Sequence, residues 1–231
     1  MRVGVTLPTF RDDASTALEA ARHAEEVGLD GVFVFDHLWP LGQPDRPALS
    51  AFPMLGAVAA TTSALCFGPL VARIGLVPDD LLVAELLSLH KMAPGRLIAG
   101  LGTGDSKSAA ENFAYGAPFA PADERRLGLR ACALRVLASG VPVWVGGGAP
   151  ATTELAVELG AAVNLWDAQP AAVASLRTRC EVTWAGPVDG DVPRMARWLQ
   201  ELAGAGATWA VCAWPESVEA VAEAAALVRA G

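Results

Sequence analysis

Short apolar, β-branched runs alternate with longer stretches of helical spacing along this chain, and the alternation never lapses. Val3 to Leu7 (VGVTL) precedes a predicted helix from near Asp13 to Gly28. There Ala17, Ala21, Ala24 and Val27 share a face, and Gly28 suits a left-handed cap. Gly31 to Phe35 (GVFVF) leads to a helix from about Ser50, and Ala64 to Val71 (ALCFGPLV) to one that Asp79 or Asp80 would cap. Arg96 to Leu101 (RLIAGL) opens the longest irregular stretch, before a helix from about Asp123 to Ala138. Val141 to Gly147, Ala161 to Trp166, Glu181 to Gly186 and Thr208 to Ala213 feed helices expected near Pro150, Pro170, Pro193 and Pro215. A proline in a first helical turn loses no hydrogen bond.

These are eight strand–helix units. Nearly continuous apolar strands suit a parallel sheet covered on both faces, which the alternation also implies. Eight units within 231 residues predict a single (β/α)₈ TIM-barrel domain over residues 1–231, with an open doubly wound sheet as the rival. No linker, low-complexity segment or charge block marks a second domain. With 53% of residues hydrophobic and 18% charged, one core has ample apolar side chain. The net charge of -8, with only two lysines, Lys91 and Lys107, leaves no basic stripe for nucleic acid. No run approaches the roughly 18 apolar residues of a membrane span, and MRVGVTLPTF is too poor in apolar residues for a signal peptide. A cytoplasmic protein acting on a small molecule is expected. Its four cysteines are scattered without a Cys-x-x-Cys pair, so neither disulfide nor metal is expected.

In a barrel the C-terminal strand ends carry the site. There GVFVF stops abruptly at Asp36 and His37, and Val71, Ala72 and Arg73 follow the third strand. GLGTGDSKSAAEN (Gly100 to Asn112) follows the fourth, GGGAPATTE (Gly146 to Glu154) the fifth and Asp167 the sixth. Trp166, Trp184 and Trp214 lie at or near the last three strand ends. The opposite turns, such as VGLDG and APGR, are compact. Gly146, Gly147 and Gly148 let backbone approach a ligand, and the helix beyond offers free N–H groups to a phosphate; a plain chain reversal suits them equally. GLGTGD is a poor dinucleotide fingerprint: it lacks the third glycine, and the acids about twenty residues on, Asp123 and Glu124, open a helix. Its glycines suit backbone laid against a flat ring, with Asp105 and Ser106 hydrogen-bonding to it. His37, beside an acid at the mouth, is a candidate proton carrier as well as a candidate structural histidine. His23 and His90 read as solvated or packing residues, and Glu111 and Asn112 as stabilisers of the long fourth loop.

Four segments, in order and spacing, go further: EEVGLDGVFVFDHL, ATTSALCFGPLVARIGLVPDDLLVAELLSLHKMAPGRLIAGLGTGD, ENFAYGAPF with the ERR after it, and VPVWVGGGAP. Across roughly Val3 to Trp166 the chain resembles the luciferase-like monooxygenase superfamily, in particular its coenzyme F420-dependent branch. The last third resembles it by rhythm alone. The resemblance implies a homodimeric barrel with a flavin or deazaflavin at the C-terminal face, Asp36 and His37 lying beside the ring. The bond between Leu70 and Val71, just before Ala72, falls where a non-prolyl cis peptide bulges under the ring. Gly102, Thr103, Gly104, Asp105 and Ser106 would border ring and ribityl chain, and Gly146, Gly147 and Gly148 would hold the phosphate. The implied reaction is hydride transfer between deazaflavin C5 and a small organic substrate, the proton moved by His37 or Asp105 with Asp36 alongside. The alternatives are an FMN-dependent monooxygenase, a non-enzymatic flavin-binding protein and an NAD-dependent dehydrogenase on an open sheet. A phosphorylated substrate would depend on arginines such as Arg177, Arg179 or Arg194. The chain is short for the family and has no large insertion between its seventh and eighth strands, so an open pocket is expected.

Overall fold

Every apolar run becomes a strand, and every ladder between strands is parallel. The computed structural model describes residues 1–213 and 215–230, so Trp214 lies outside the described residues. Its strands are β1 (Arg2–Thr6), β2 (Gly31–Val34), β3 (Cys66–Pro69), β4 (Ala72–Arg73), β5 (Ala99–Gly102), β6 (Val143–Gly147), β7 (Ala162–Trp166), β8 (Val182–Pro187) and β9 (Ala207–Ala213). They are ordered β3-β2-β1-β9-β8-β7-β6-β5-β4. β3 and β4 are halves of the third expected strand, separated by a cis peptide bond between Leu70 and Val71. Nine segments thus occupy eight places in the ring.

The ring closes through β3. Phe67 bridges Leu97 in parallel; its N–H donates to the Arg96 carbonyl and its carbonyl accepts from Ile98 N–H, both at 2.9 Å. That closure decides for the barrel against the open sheet. It requires Gly68, where a Cβ would lie 1.9 Å from the Ile98 carbonyl oxygen. Gly68→Ala is expected to force the strands apart and destabilise the fold by about 3 kcal/mol or more, read as a lowered urea midpoint.

The helices are α1 (Ser15–Glu26), α2 (Ala51–Thr61), α3 (Asp79–Met92), α4 (Ala109–Ala114), α5 (Ala122–Ala138), α6 (Pro150–Leu159), α7 (Pro170–Leu176), α8 (Val192–Ala205) and α9 (Val218–Ala230). Several starts differ from expectation for local reasons. The Asp13 carboxylate accepts the Ser15 N–H at 2.9 Å and holds the chain off helix until Ser15. Pro78 occupies the cap of α3, so Asp79 and Asp80 lie in its first turn, where their charge suits the dipole. Ser217 Oγ accepts the Ala220 N–H at 3.0 Å, which moves the start of α9 past Pro215. The stretch read as irregular after β5 contains a 3₁₀ turn (Ser106–Ser108) and α4. No described helix is long and apolar enough to cross a membrane.

Side chains alternate between two cores. Val3, Val5, Val32, Val34 and Leu101 point outward and pack under the helices. Phe33, Trp144 and Trp209 fill the barrel interior with Ile98 and Val211. Phe33 stacks on Trp144 at 5.0 Å between ring centroids, and Trp209 meets Trp144 edge-on at 5.4 Å, making a rigid floor beneath the mouth. Trp184 is not at the mouth, contrary to its place near a strand end. It belongs to the outer core, edge-on to Trp198 of α8 at 6.1 Å, and its Nε1–H donates to the Ala168 carbonyl at 2.9 Å.

Candidate active site

A cavity of about 1010 Å³ opens over the C-terminal strand ends. Asp36, His37, Leu70, Val71, Gly102, Thr103, Gly104, Asp105, Gly146, Gly147 and Gly148 all line it. Ala72 and Ser106 do not. Ala72 is fully buried and turned to the outer core by strand alternation, and Ser106 is exposed at the start of the 3₁₀ turn while Ser108 takes the wall. The arginines named for a phosphate are also elsewhere. Arg179 pairs with Glu154 of α6 at 2.7 Å, Arg177 Nη1 donates to the Gly204 carbonyl at 3.5 Å, and Arg194 packs against Gly190. Among the described residues, none from β8 or β9 lines the cavity.

The polar centre is built on Glu111, which is fully buried. Its Oε1 lies 2.8 Å from His37 Nδ1, and its Oε2 accepts Leu38 N–H at 2.9 Å and Arg73 Nη2–H at 3.0 Å. Arg73, with a side chain only 4% exposed, also donates Nη1–H to the Ser108 carbonyl at 3.1 Å and its backbone N–H to Asp36 Oδ2 at 2.9 Å. Its Nε–H is buried without a partner among the described residues. Sequence reasoning gave Glu111 a loop-stabilising part and Arg73 none. The available signal was the lone arginine of VARIGLV: a cation among apolar residues needs a buried acid.

The two carboxyls are pushed apart. Burial alone raises Glu111, but the hydrogen bonds from His37 and Leu38 and the charges of His37 and Arg73 more than offset it, holding the group below its ordinary value. At Asp36 burial prevails over the Arg73 N–H and the nearby cations, and the carboxyl is pushed up. An ionised Glu111 only accepts hydrogen bonds, so neutral His37 must carry its proton on Nδ1. That leaves Nε2 as the nitrogen free to exchange one. Asp105 is committed differently. Its Oδ1 caps the 3₁₀ turn, accepting from Lys107 N–H at 2.9 Å and Ser108 N–H at 3.2 Å.

Val71 explains two of the glycines. A Cβ on Gly102 would lie 2.4 Å from Val71 Cγ2, and one on Gly146 3.2 Å from the same atom. These positions at the ends of β5 and β6 make room for the isopropyl group. Gly148, by contrast, has nothing within 4 Å of a Cβ position. It precedes α6, whose N-cap, Ala149, has no capping side chain; Pro150 carries no N–H and Thr152 and Thr153 donate to the Ala149 carbonyl, so Ala151 is the first-turn N–H left for an anion. Across the mouth runs an aromatic row. Phe10 stacks on Phe35 at 6.0 Å, and Phe35 meets Trp166 edge-on at 5.8 Å.

The model of the family described as luciferase-like monooxygenase matches residues 1–130. The chain belongs to that family. The matched part of this luciferase-like barrel runs from β1 into α5 and includes His37, Arg73 and Glu111, whereas the triple glycine lies beyond it. The protein is 38% identical over 103 residues to an F420-dependent glucose-6-phosphate dehydrogenase of Beutenbergia cavernae, covering 44% of this chain and 30% of the relative. It is 39% identical over 111 residues to the enzyme of that description from Kineococcus radiotolerans, covering 48% and 32%. It thus spans about a third of the length of these curated relatives. An F420-dependent secondary alcohol dehydrogenase, solved with an F420–acetone adduct, superposes with a TM-score of 0.84 at 15% identity, covering 99% of both chains. A coenzyme F420-dependent tetrahydromethanopterin reductase from Methanopyrus kandleri gives 0.74 at 15%, covering 97% of both. At such identities the likeness is one of fold.

Proposed function

We propose that this luciferase-like protein is a coenzyme F420-dependent oxidoreductase acting on a small organic substrate, with the whole chain forming one domain. The carrying observation is the His37–Glu111–Arg73 cluster, with His37 and Arg73 lining a cavity shared with the open turn at Gly148. The F420 dependence named in the curated relatives supports the same choice.

The residues fit such a cofactor. Gly148 and the start of α6 suit a phosphate. The unpartnered Nε–H of Arg73 is a buried donor at the cavity wall, suited to a carbonyl on the edge of a flat ring. When bound, F420 supplies C5 as hydride donor or acceptor. Leu70 and Val71 supply the apolar wall against which a ring is held, and Phe35 and Trp166 exclude water from the mouth. His37 Nε2 takes the hydroxyl proton of an alcohol during oxidation and returns it during reduction. Glu111 fixes the imidazole's tautomer and stabilises the imidazolium. Asp36 holds the Arg73 backbone in place. Because Asp105 Oδ1 caps the 3₁₀ turn, His37 is the better proton carrier.

Titration of the purified protein with both cofactors tests the reading. F420 is expected to bind more tightly than FMN. Tighter FMN binding would replace it with the FMN-dependent monooxygenase, and turnover indifferent to the cluster would leave a flavin-binding protein. Homodimerisation and a cytoplasmic location are part of the same proposal, and light scattering of the purified protein checks the first.

A further inference from the structure

We propose that Arg11 and Arg46 form an anion subsite on the rim facing the Gly146–Gly148 turn, selecting substrates with a carboxylate or phosphate remote from the reacting carbon. The inference rests on the F420 reading only in assigning this half of the cavity to substrate.

Ring order places the subsite. β1 is separated from β6 by β9, β8 and β7 on one side and by β2, the β3/β4 place and β5 on the other, so the two stand opposite. Likewise β2 stands opposite β7. Arg11 follows β1 and Arg46 follows β2, whereas the glycine turn follows β6. An anion held at Gly148 is therefore across the mouth from the arginines, which meet whatever fills the other half.

Charge then sets the class of ligand. Three cations line the main cavity, Arg11, Arg46 and Arg73, and Arg73 is committed to Glu111. Among the described residues Arg11 has no ion pair within 4 Å, although its charge acts on the Asp13 carboxylate, and the Arg46 guanidinium has only a 3.2 Å hydrogen bond to Gln43 Oε1. Each acid lining that cavity has one oxygen engaged away from the arginines: Asp36 Oδ2 by the Arg73 N–H and Asp105 Oδ1 by its cap. A second cavity of about 310 Å³ shares Phe10, Arg11 and Arg46 with the first and adds Asp12, Asp13 and Pro47. Asp13 Oδ1 is taken by the N–H and hydroxyl of Ser15. The arginines thus partition two spaces, with room for a charged head group, and Asp12 and Asp13 line only the smaller. The Phe10–Phe35–Trp166 row lies between this rim and the opposite one, suiting an apolar middle. The ligand these features describe is an alcohol, or its carbonyl product, with an apolar body and an anionic end.

The variants are Arg11→Gln, Arg46→Gln and the double variant. Calorimetry with inorganic phosphate on the F420-saturated protein, whose Gly148 turn is then occupied, is expected to show binding that the double variant weakens at least about tenfold. For an alcohol bearing a carboxylate and its methyl ester, the wild-type preference for the acid in kcat/KM should fall by a similar factor in the double variant, through KM, with kcat within about twofold. F420 and the deazaflavin chromophore lacking phosphate and side chain test the other source of anionic charge, the cofactor's own tail. Their affinity ratio should be equal in wild type and double variant. A ratio that collapses would assign the arginines to the cofactor and overturn the inference, as would equal phosphate binding by wild type and double variant. Phosphate binding lost in the double variant of a protein that does not bind F420 would uphold the subsite and overturn the F420 reading instead.

Discussion

Glu111→Ala is expected to cost about 3–5 kcal/mol of stability, because it strands the buried Arg73 guanidinium without its counter-charge. The substitution also leaves the Leu38 N–H and His37 Nδ1 without their acceptor. Urea unfolding near neutral pH should show a correspondingly lower midpoint, and F420-dependent turnover should be lost. An unchanged midpoint would mean that Arg73 draws nothing from Glu111. Glu111→Gln keeps the shape and separates charge from volume. Glu111 sits below its ordinary value of 4.5 in the fold, so its contribution is fully present above that value and is lost as pH falls through the folded one. Asp36 acts in the opposite sense. Its raised carboxyl makes ionisation costly as pH climbs from 3.8 through the folded value. The wild type should therefore lose stability relative to Glu111→Gln on acidification below 4.5, and Asp36, which the Glu111 charge helps to raise, cancels in part. Parallel pH profiles would remove the charge argument.

His37→Asn should lower kcat by roughly 10²–10⁴-fold, the usual worth of a positioned acid–base group. Cofactor affinity should change only a few-fold, since the wall at Leu70 and Val71 and the turn at Gly148 are untouched. Among the described residues the half-buried ring is hydrogen-bonded to the core through Glu111 alone, so the melting temperature should fall far less than in Glu111→Ala. Stopped-flow reduction of F420, with fluorescence titration for affinity, measures both quantities. Intact turnover with a large fall in stability would make His37 a structural residue and return the proton to Asp105.

Legibility differed from place to place within the site. Asp36 and His37 stood out because an apolar strand ended in two polar residues, a local signal that survives in one dimension. The glycines of GLGTGD and GGGAP were equally visible, but not their purpose. Gly102 and Gly146 make room for Val71, a contact between separate strand ends that no spacing records. Ala72 and Ser106 were placed at the wall because each lies one position from a lining residue, but a strand changes sides at every residue and a 3₁₀ turn rotates by about a third of a circle.

The chain by itself determined the eight strand–helix places, which strand ends face the mouth and the prolines in the first turns of α6, α7 and α8, because these follow from short-range periodicity and backbone sterics; closure of the ring was left to the Phe67–Leu97 bridge. Only the tertiary structure decided the chemistry of the centre. Glu111 meets His37 across 74 residues and Arg73 across 38. A buried charge must find its partner wherever ring closure places one, and ring closure depends on register between distant strands.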